Sequence, residues 1–503
     1  MSLAAQAGRG IAWSSAGKAV SQLVGVVVSL VLARLLAPAD FGLVAMAVIV
    51  TGFLGVVGDL GLTSALIQRE TLDERHRSTV FWTLLAFGLA LAGGTALVAP
   101  WIADFYEAPN LTTLLRVLSI DFVLAPVTTL HYALLARELR FKQIALCEAL
   151  AVLLSGGLAL GLALSGVGLW ALVFKSLAAS LVLSVGFARM TGWWPTALFD
   201  RRALSELWPF SANLLGTTVA SYWAHQTDDL LIGKTLGAAP LGLYTRAYGT
   251  MMHPVSEVGS VIGRVMFPTL SLLQHDDTEA KRLYLKVLGT TALLIFPVMA
   301  GLCAMADTFL LVVFGEQWSG AATVLRIYSV IGAYHAISST VSWLYKSRGA
   351  TRLLFRYTLV SSAITILAIA IGARFASIEA VALAYGIATV VLLSYPHFRL
   401  AGSLIGLTPG EVLGRVWGVA LAAAVMGGLV YGARRALPGL LPPVAELMGY
   451  AFLGSIAYLV LLRVGRVQVY AELRLELRRR VEAWAGVEQT ETARSATDDK
   501  RHD

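Results

Sequence analysis

Two stripes of polar side chains stand inside stretches that are otherwise too apolar to hold them. In the first apolar stretch Lys18, Gln22, Gly25 and Ser29 fall at i, i+4, i+7 and i+11, which is one face of a helix. Much further along, Asn213, Thr217, Ser221, His225 and Asp228 form a second stripe that drifts slowly round its helix, with Asp229 beside it. A cation, amides and hydroxyls on such a face can bind an anionic, hydroxyl-rich ligand. A carboxylate pair with a histidine can exchange a proton or hold a monovalent cation. Lys175 lies still deeper between Trp170 and Arg189, and an isolated ammonium in hydrocarbon is costly unless it faces water or a counter-ion. Each residue also has a structural reading. Lys18 can snorkel to the membrane surface, Arg264 can be an interfacial anchor rather than a phosphate hook, and a lone His is commonly a hydrogen-bonded packing residue. Asp59 can pair with a basic residue between Arg69 and Arg77. Arg34 and Lys234 are either rim cations that gate release or caps on exposed helix carbonyls, the latter worth about 0.3–1 kcal/mol.

The elements that must position these residues are membrane helices. The chain is 57% hydrophobic and 14% charged, with mean hydropathy +0.73, so long apolar runs dominate it. A span needs roughly 20 apolar residues. Fourteen runs qualify, at 11–33, 42–66, 79–101, 112–133, 143–164, 168–188, 207–232, 242–264, 285–306, 320–342, 353–373, 377–397, 412–433 and 444–462. The seventh and eighth are diluted by Asp228, Asp229 and Arg246. The first run is read as a span rather than a cleaved leader. Placing both termini in the cytoplasm puts 29 of the 39 Lys and Arg on that side. The net charge of +8 is therefore assigned to loops facing anionic lipid and not to nucleic acid.

The chain also repeats itself. Ala33-Arg34-Leu35-Leu36-Ala37-Pro38-Ala39-Asp40-Phe41-Gly42-Leu43 overlies Gly233-Lys234-Thr235-Leu236-Gly237-Ala238-Ala239-Pro240-Leu241-Gly242-Leu243. Leu115 to Ile120 overlies Leu325 to Val330 in the same order, and Ile102-Ala103-Asp104 overlies Met305-Ala306-Asp307. The resulting division is an N-lobe over 1–200 and a C-lobe over 201–405, each of six helices, then an unmatched helix pair over 406–465. Even-numbered halves keep their orientation, so the repeat axis is expected along the membrane normal. From 466 to 486 a basic amphipathic helix is expected on the cytoplasmic leaflet, and 487–503 as a disordered tail. Cys147 and Cys303 read as packing residues, with no disulfide framework, metal site or cofactor motif.

Several ordered motifs carry a family likeness. They are Arg34-Leu35-Leu36 with Pro38 and Asp40-Phe41-Gly42-Leu43, Asp59-Leu60-Gly61-Leu62, Arg137-Glu138-Leu139-Arg140-Phe141, Ile232-Gly233-Lys234, Arg246-Ala247-Tyr248 and Phe314-Gly315 with Trp318. From about residue 10 to 400 the chain resembles the polysaccharide-transporter, Wzx-like branch of the multidrug/oligosaccharidyl-lipid/polysaccharide exporter superfamily, in its colanic-acid and teichuronic-acid exporter type. The resemblance implies an all-α polytopic membrane protein of about fourteen helices, with two pseudo-symmetric six-helix lobes and an appended pair. It also implies a non-enzymatic flippase in a bacterial inner membrane. Its substrate would be an oligosaccharide on a polyprenyl pyrophosphate, handed on to a polysaccharide polymerase or assembly proteins.

On that reading the substrate-binding candidates are Lys18, Gln22, Lys175, Asn213, Ser221, His225 and Arg264. The coupling or ion-pair candidates are Asp59, Asp228 and Asp229, and the periplasmic-rim candidates are Arg34 and Lys234. An ion-coupled multidrug exporter of the same superfamily is the main alternative. A membrane glycan polymerase or ligase would need a long catalytic outer loop, and the outer loops here reach only about ten residues between successive spans.

Overall fold

The structure, a computed structural model, describes residues 21–69, 72–196, 199–437 and 441–476; within the long helix over 201–236 the side chains of Phe210, Asn213, Leu214, Thr217, Ala220, Ser221, Ala224 and His225 are not among those described. The regular structure of the described residues is all helical, with no strand among them. Among the described residues, ten helices are long and apolar enough to cross a membrane. The chain is thus an all-α, multi-pass membrane protein. The expected count of fourteen adds the runs carried by Ser21–Leu35, Arg201–Leu236, Ala238–Leu272 and Ala322–Ser338, which are not among those ten.

The first of two compact units comprises Met1–Arg246, Val313–Ala321 and Ile366–Val381. It contains α1 (Ser21–Leu35), α2 (Pro38–Gly58), α3 (Leu62–Gln68), α4 (Glu74–Tyr106), α5 (Asn110–Leu118), α6 (Asp121–Arg137), α7 (Phe141–Leu164), α8 (Trp170–Thr191) and α9 (Arg201–Leu236). The start of α10 (Ala238–Leu272), a 3-10 turn at Glu316–Ala321, and the helical stretches within Ile366–Val381 complete it. The second unit comprises Ala247–Val312, Ala322–Thr365 and Ala382–Asp503. Its helices include α11 (Asp277–Ala304), most of α12 (Ala306–Val313), α13 (Ala322–Ser338) and α14 (Val341–Ser347). Then come most of α15 (Thr351–Ala373), the end of α16 (Ile378–Gly386), α17 (Ser394–Gly402), α18 (Pro409–Ala436) and α19 (Pro443–Val464). A last helix, α20, covers 468–476.

Local chemistry sets these boundaries. Pro38 sits in the first turn of α2, where its missing N–H has no partner to lose. Asp200, Asp276 and Thr408 cap α9, α11 and α18, and Thr408 forms a reciprocal capping box with Glu411. The run read as the second span is broken at Leu60 and Gly61, both at positive φ. Glycine is needed at 61, because a Cβ there would lie 2.7 Å from the Ser211 carbonyl oxygen of α9. Large apolar side chains stay outward on many helices, Leu97, Leu164 and Phe452 among them, each at least 70% exposed. Such surfaces aggregate in water but are ordinary against lipid.

At the end of the second unit, α20 docks on protein. Val469 is buried in the unit's core, Glu472 pairs with Arg415 of α18, and Glu476 lies 2.7 Å from Lys286 of α11. Arg415 holds the Glu472 carboxyl below its ordinary range. This start of the expected amphipathic helix therefore meets the second unit through its acids and through Val469, Tyr470 and Leu473. Residues 477–503, with the remainder of that helix and the expected tail, lie outside the described residues.

Candidate functional site

The repeat forms a reciprocal helix contact in the first unit. A Cβ on Gly42 would meet the Ala238 carbonyl oxygen at 1.7 Å, and a Cβ on Gly242 would meet that of Pro38 at 2.0 Å. The same two positions of the two repeats therefore touch each other, backbone to backbone, with room for glycine alone. Ala33 and Gly233, also equivalent, are gripped in parallel fashion. The indole of buried Trp318 donates to the Ala33 carbonyl at 2.7 Å and Gln317 donates to the same oxygen at 3.0 Å, while Gly233 packs on the Tyr106 ring.

This crossing positions Arg246, one helical turn beyond Gly242. Its guanidinium lies over Phe41 at 4.4 Å and within 5.2 Å of both Phe314 and Trp318, and donates to the Ser29 hydroxyl at 3.0 Å. Phe41 precedes Gly42, so the same close approach that needs two glycines brings the ring to the cation. Aromatic faces attract a guanidinium by their quadrupole, and the attraction grows as water is excluded. Lys175 of α8 is half-buried in the same unit.

An acidic cluster lies on α9 in the same unit. Asp228 accepts from the Tyr244 hydroxyl at 3.2 Å, and Asp229 repels it electrostatically while also sensing Tyr106 and Tyr222. Tyr222 donates to the Ile49 carbonyl at 2.8 Å, which ties α9 to α2. The Tyr106 hydroxyl is buried without a hydrogen-bond partner among the described residues.

The remaining expected residues are distributed as follows. Lys18 lies outside the described residues, as do the side chains of Asn213, Ser221 and His225. Gln22 is half-buried on α1, whereas Arg264 is exposed on the part of α10 in the second unit and is not grouped with Arg246. Asp59 accepts from Thr63, one turn on, and makes no ion pair among the described residues. Arg69, its expected partner, instead meets Glu206, which also takes His76 at 3.3 Å. Of the rim cations, Arg34 donates to the Val313 carbonyl at 3.2 Å, while Lys234 pairs with Glu107 at 2.8 Å and lies over Phe105 at 5.4 Å. His131 and His335 are hydrogen-bonded to Thr191 and Tyr385, in keeping with packing roles. The residue missed as a site is Arg246. Its signal was a charge inside an apolar run, visible only as a dilution of the eighth span.

Comparison with known proteins agrees with this architecture. The family described as polysaccharide biosynthesis protein matches residues 31–323. The chain is 31% identical over 367 residues to the succinoglycan biosynthesis transport protein ExoT of Rhizobium meliloti, covering 73% of this chain and 74% of that protein. It is 25% identical over 424 residues to the lipopolysaccharide biosynthesis protein WzxC of Escherichia coli, covering 83% and 85%. Its fold is similar to that of the lipid II flippase MurJ in an inward closed conformation, with TM-score 0.72 over 90% of this chain and 98% of that one. At 15% identity that last likeness concerns the fold alone. The family match spans more than half of the chain and a relative above 30% identity covers nearly three quarters of it: the chain belongs to the polysaccharide biosynthesis protein family.

Proposed function

We propose that the protein flips a lipid-linked oligosaccharide, one repeat unit on a polyprenyl pyrophosphate, across the bacterial inner membrane. Moving such a molecule means carrying sugars and a pyrophosphate through hydrocarbon that solvates neither. A protein can do so with a wet, charged surface inside the membrane, reached from one side at a time, while the lipid tail stays in the bilayer.

The observation that carries this reading is Arg246, a cation inside the first unit whose guanidinium lies over Phe41, beside Phe314 and Trp318, with Lys175 as a second cation in the same unit. An anion bound beside two such cations is attracted by both. A pyrophosphate supplies about two negative charges, and a guanidinium binds phosphate oxygens with a planar, bidentate fork. The aromatic rings around Arg246 keep that plane fixed. Asp228 and Asp229 are the residues through which an ion or proton would be coupled to transport, with Tyr244 donating a hydrogen bond to Asp228. Lys18, Gln22, Asn213, Ser221 and His225 are the further substrate-binding residues in this reading.

The architecture that goes with it has fourteen spans, lobes over 1–200 and 201–405, an appended pair over 406–465, and both termini in the cytoplasm. The protein works by alternating access and not by catalysis, and passes its cargo to a polymerase or assembly protein. A multidrug exporter would want an anionic, hydrophobic cavity for organic cations, which the two cations disfavour. The test is leaflet accessibility of the lipid-linked oligosaccharide in a deletion strain free of redundant flippases. Cytoplasmic-face accumulation relieved by wild type, and not by Arg246→Ala or Lys175→Ala at equal protein level, is the expected result. Normal translocation without the gene would remove the export reading.

A further inference from the structure

In the second unit, α11, α13 and α18 border an open groove of about 700 Å³. Its floor is apolar: Phe296 of α11 stands among the small side chains of Ala300 of α11, Ala333 of α13, and Ala420, Ala424 and Gly428 of α18. Gly427 fills the helix contact, with its Cβ position 3.2 Å from the Ala300 carbonyl oxygen, whereas a Cβ at Gly428 would meet nothing within 4 Å. Gly428 thus borders open space. The groove's polar end is formed by Arg326 of α13 and by Tyr431 and Arg435 of α18, near the C-terminal ends of α11 and α18.

Charge at that end is unbalanced. Arg326 and Arg434 share Asp307, and Arg434 also meets Glu446 at 3.2 Å. Arg435 stacks over Tyr431 at 5.3 Å and has no carboxylate partner among the described residues. Three guanidinium groups against two carboxylates leave one net positive charge at the mouth of an apolar slot. From Ala420 to Arg435 the groove runs about 22 Å along α18. That is one leaflet's hydrocarbon, about 15 Å, plus the headgroup layer.

We propose that this groove holds one acyl chain of an anionic glycerophospholipid, with the phosphate on Arg435 and Arg326. The site differs from the cation pair of the first unit, and its occupant is a resident lipid and not the cargo. The groove's length matches a chain that ends at the bilayer midplane, whereas a long polyprenyl chain exceeds it several-fold. The small side chains let a chain lie against the helix backbone, and a lipid seated there would join α18, the start of the appended helix pair, to α11 and α13.

The experiment is native mass spectrometry of the full-length protein, stripped of lipid in detergent and titrated separately with dioleoyl phosphatidylglycerol, dioleoyl phosphatidylethanolamine and a long-chain polyprenyl phosphate. Variants are Arg435→Gln, Arg435→Lys and Gly428→Leu. Arg374→Gln, an exposed cation just past the C-terminal end of α15, is the control, and thermal melts confirm that each variant is folded. Wild type and Arg374→Gln should retain phosphatidylglycerol about tenfold more tightly than phosphatidylethanolamine. Arg435→Gln and Gly428→Leu should lose that preference, and Arg435→Lys should keep part of it. Equal binding of the two phospholipids by wild type, or unchanged binding by folded Gly428→Leu, overturns the proposal. Tighter binding of the polyprenyl phosphate that displaces phosphatidylglycerol would give the groove to the carrier lipid instead, and overturns it equally.

Discussion

The crossing of the two repeats at Gly42 and Gly242 makes a sharp prediction. An alanine at Gly42 would put its methyl 1.7 Å from the Ala238 carbonyl oxygen and 2.5 Å from the carbonyl carbon, both backbone atoms that cannot rotate away. Ordinary van der Waals contact begins at 3.4 Å, so the two helix starts must part by about 1.7 Å. Overpacking of this kind costs about 1–3 kcal/mol, and backbone on both sides puts it at the upper end. At about 2 °C per kcal/mol for a unit of this size, the melting temperature of Gly42→Ala should fall by about 6 °C. Gly242→Ala, with its methyl 2.0 Å from the Pro38 carbonyl oxygen, should fall nearly as far. Because one separation relieves both clashes, the double variant should be little worse than the worse single, a clear departure from additivity. Gly25→Ala is the control, since a Cβ there meets nothing within 4 Å. The readout is thermal unfolding of detergent-purified protein by intrinsic fluorescence. A wild-type melting temperature for either single variant, or simple addition in the double, would refute the reciprocal contact.

Other substitutions test the rest of the account. Arg246→Gln should abolish translocation with helical content intact, and Arg246→Lys should not restore it, because a lysine lacks the planar fork that stacks on Phe41 and Trp318; the check is transport per unit of folded protein. Trp318→Phe should cost about 1 kcal/mol and not the full penalty of an orphaned carbonyl, since Gln317 still donates to Ala33, and thermal melts read it. Docking of α20 depends on an ionised Glu472, whose pKa Arg415 holds below the ordinary 4.5. Its contribution is therefore complete above 4.5 and disappears as pH falls through the lowered value, a change that Glu472→Gln should mimic at neutral pH. Hydrogen exchange over 468–476 measures both.

Most of the helical architecture could be read from sequence because each span is a long apolar run, and lipid imposes that length whatever the helix packs against. The repeat was legible for a related reason. Only glycine fits where Gly42 and Gly242 cross, so both copies retain it. The cation site was only half legible. Lys175 stood out as a charge in an apolar helix, whereas Arg246 only diluted its span, and what singles it out is its surroundings. Phe41 is far upstream and Trp318 far downstream, and no periodicity links residues joined only by folding. Asp59 shows the opposite error. A carboxylate near a basic loop invites a salt bridge, yet the turn at Leu60 and Gly61 brings Thr63 to it, while Arg69 is taken by Glu206. In the C-terminal segment the apolar stripe was legible, but not that its start, with Val469, Tyr470 and Leu473, packs on the second unit's core. Glu472 and Glu476 are oriented by Arg415 and Lys286, cations on helices that sequence spacing does not place beside them.

The most direct test is translocation in a defined system. Wild-type protein and the Arg246→Gln and Lys175→Gln variants would be reconstituted into vesicles containing a fluorescent polyprenyl-pyrophosphate oligosaccharide, whose outer-leaflet fraction is read by a membrane-impermeant glycan-cleaving enzyme. The account predicts that wild-type protein makes nearly all of the lipid accessible, while either variant leaves about half protected, as in protein-free vesicles. Equal accessibility with and without wild-type protein, or full translocation by both variants, would contradict it.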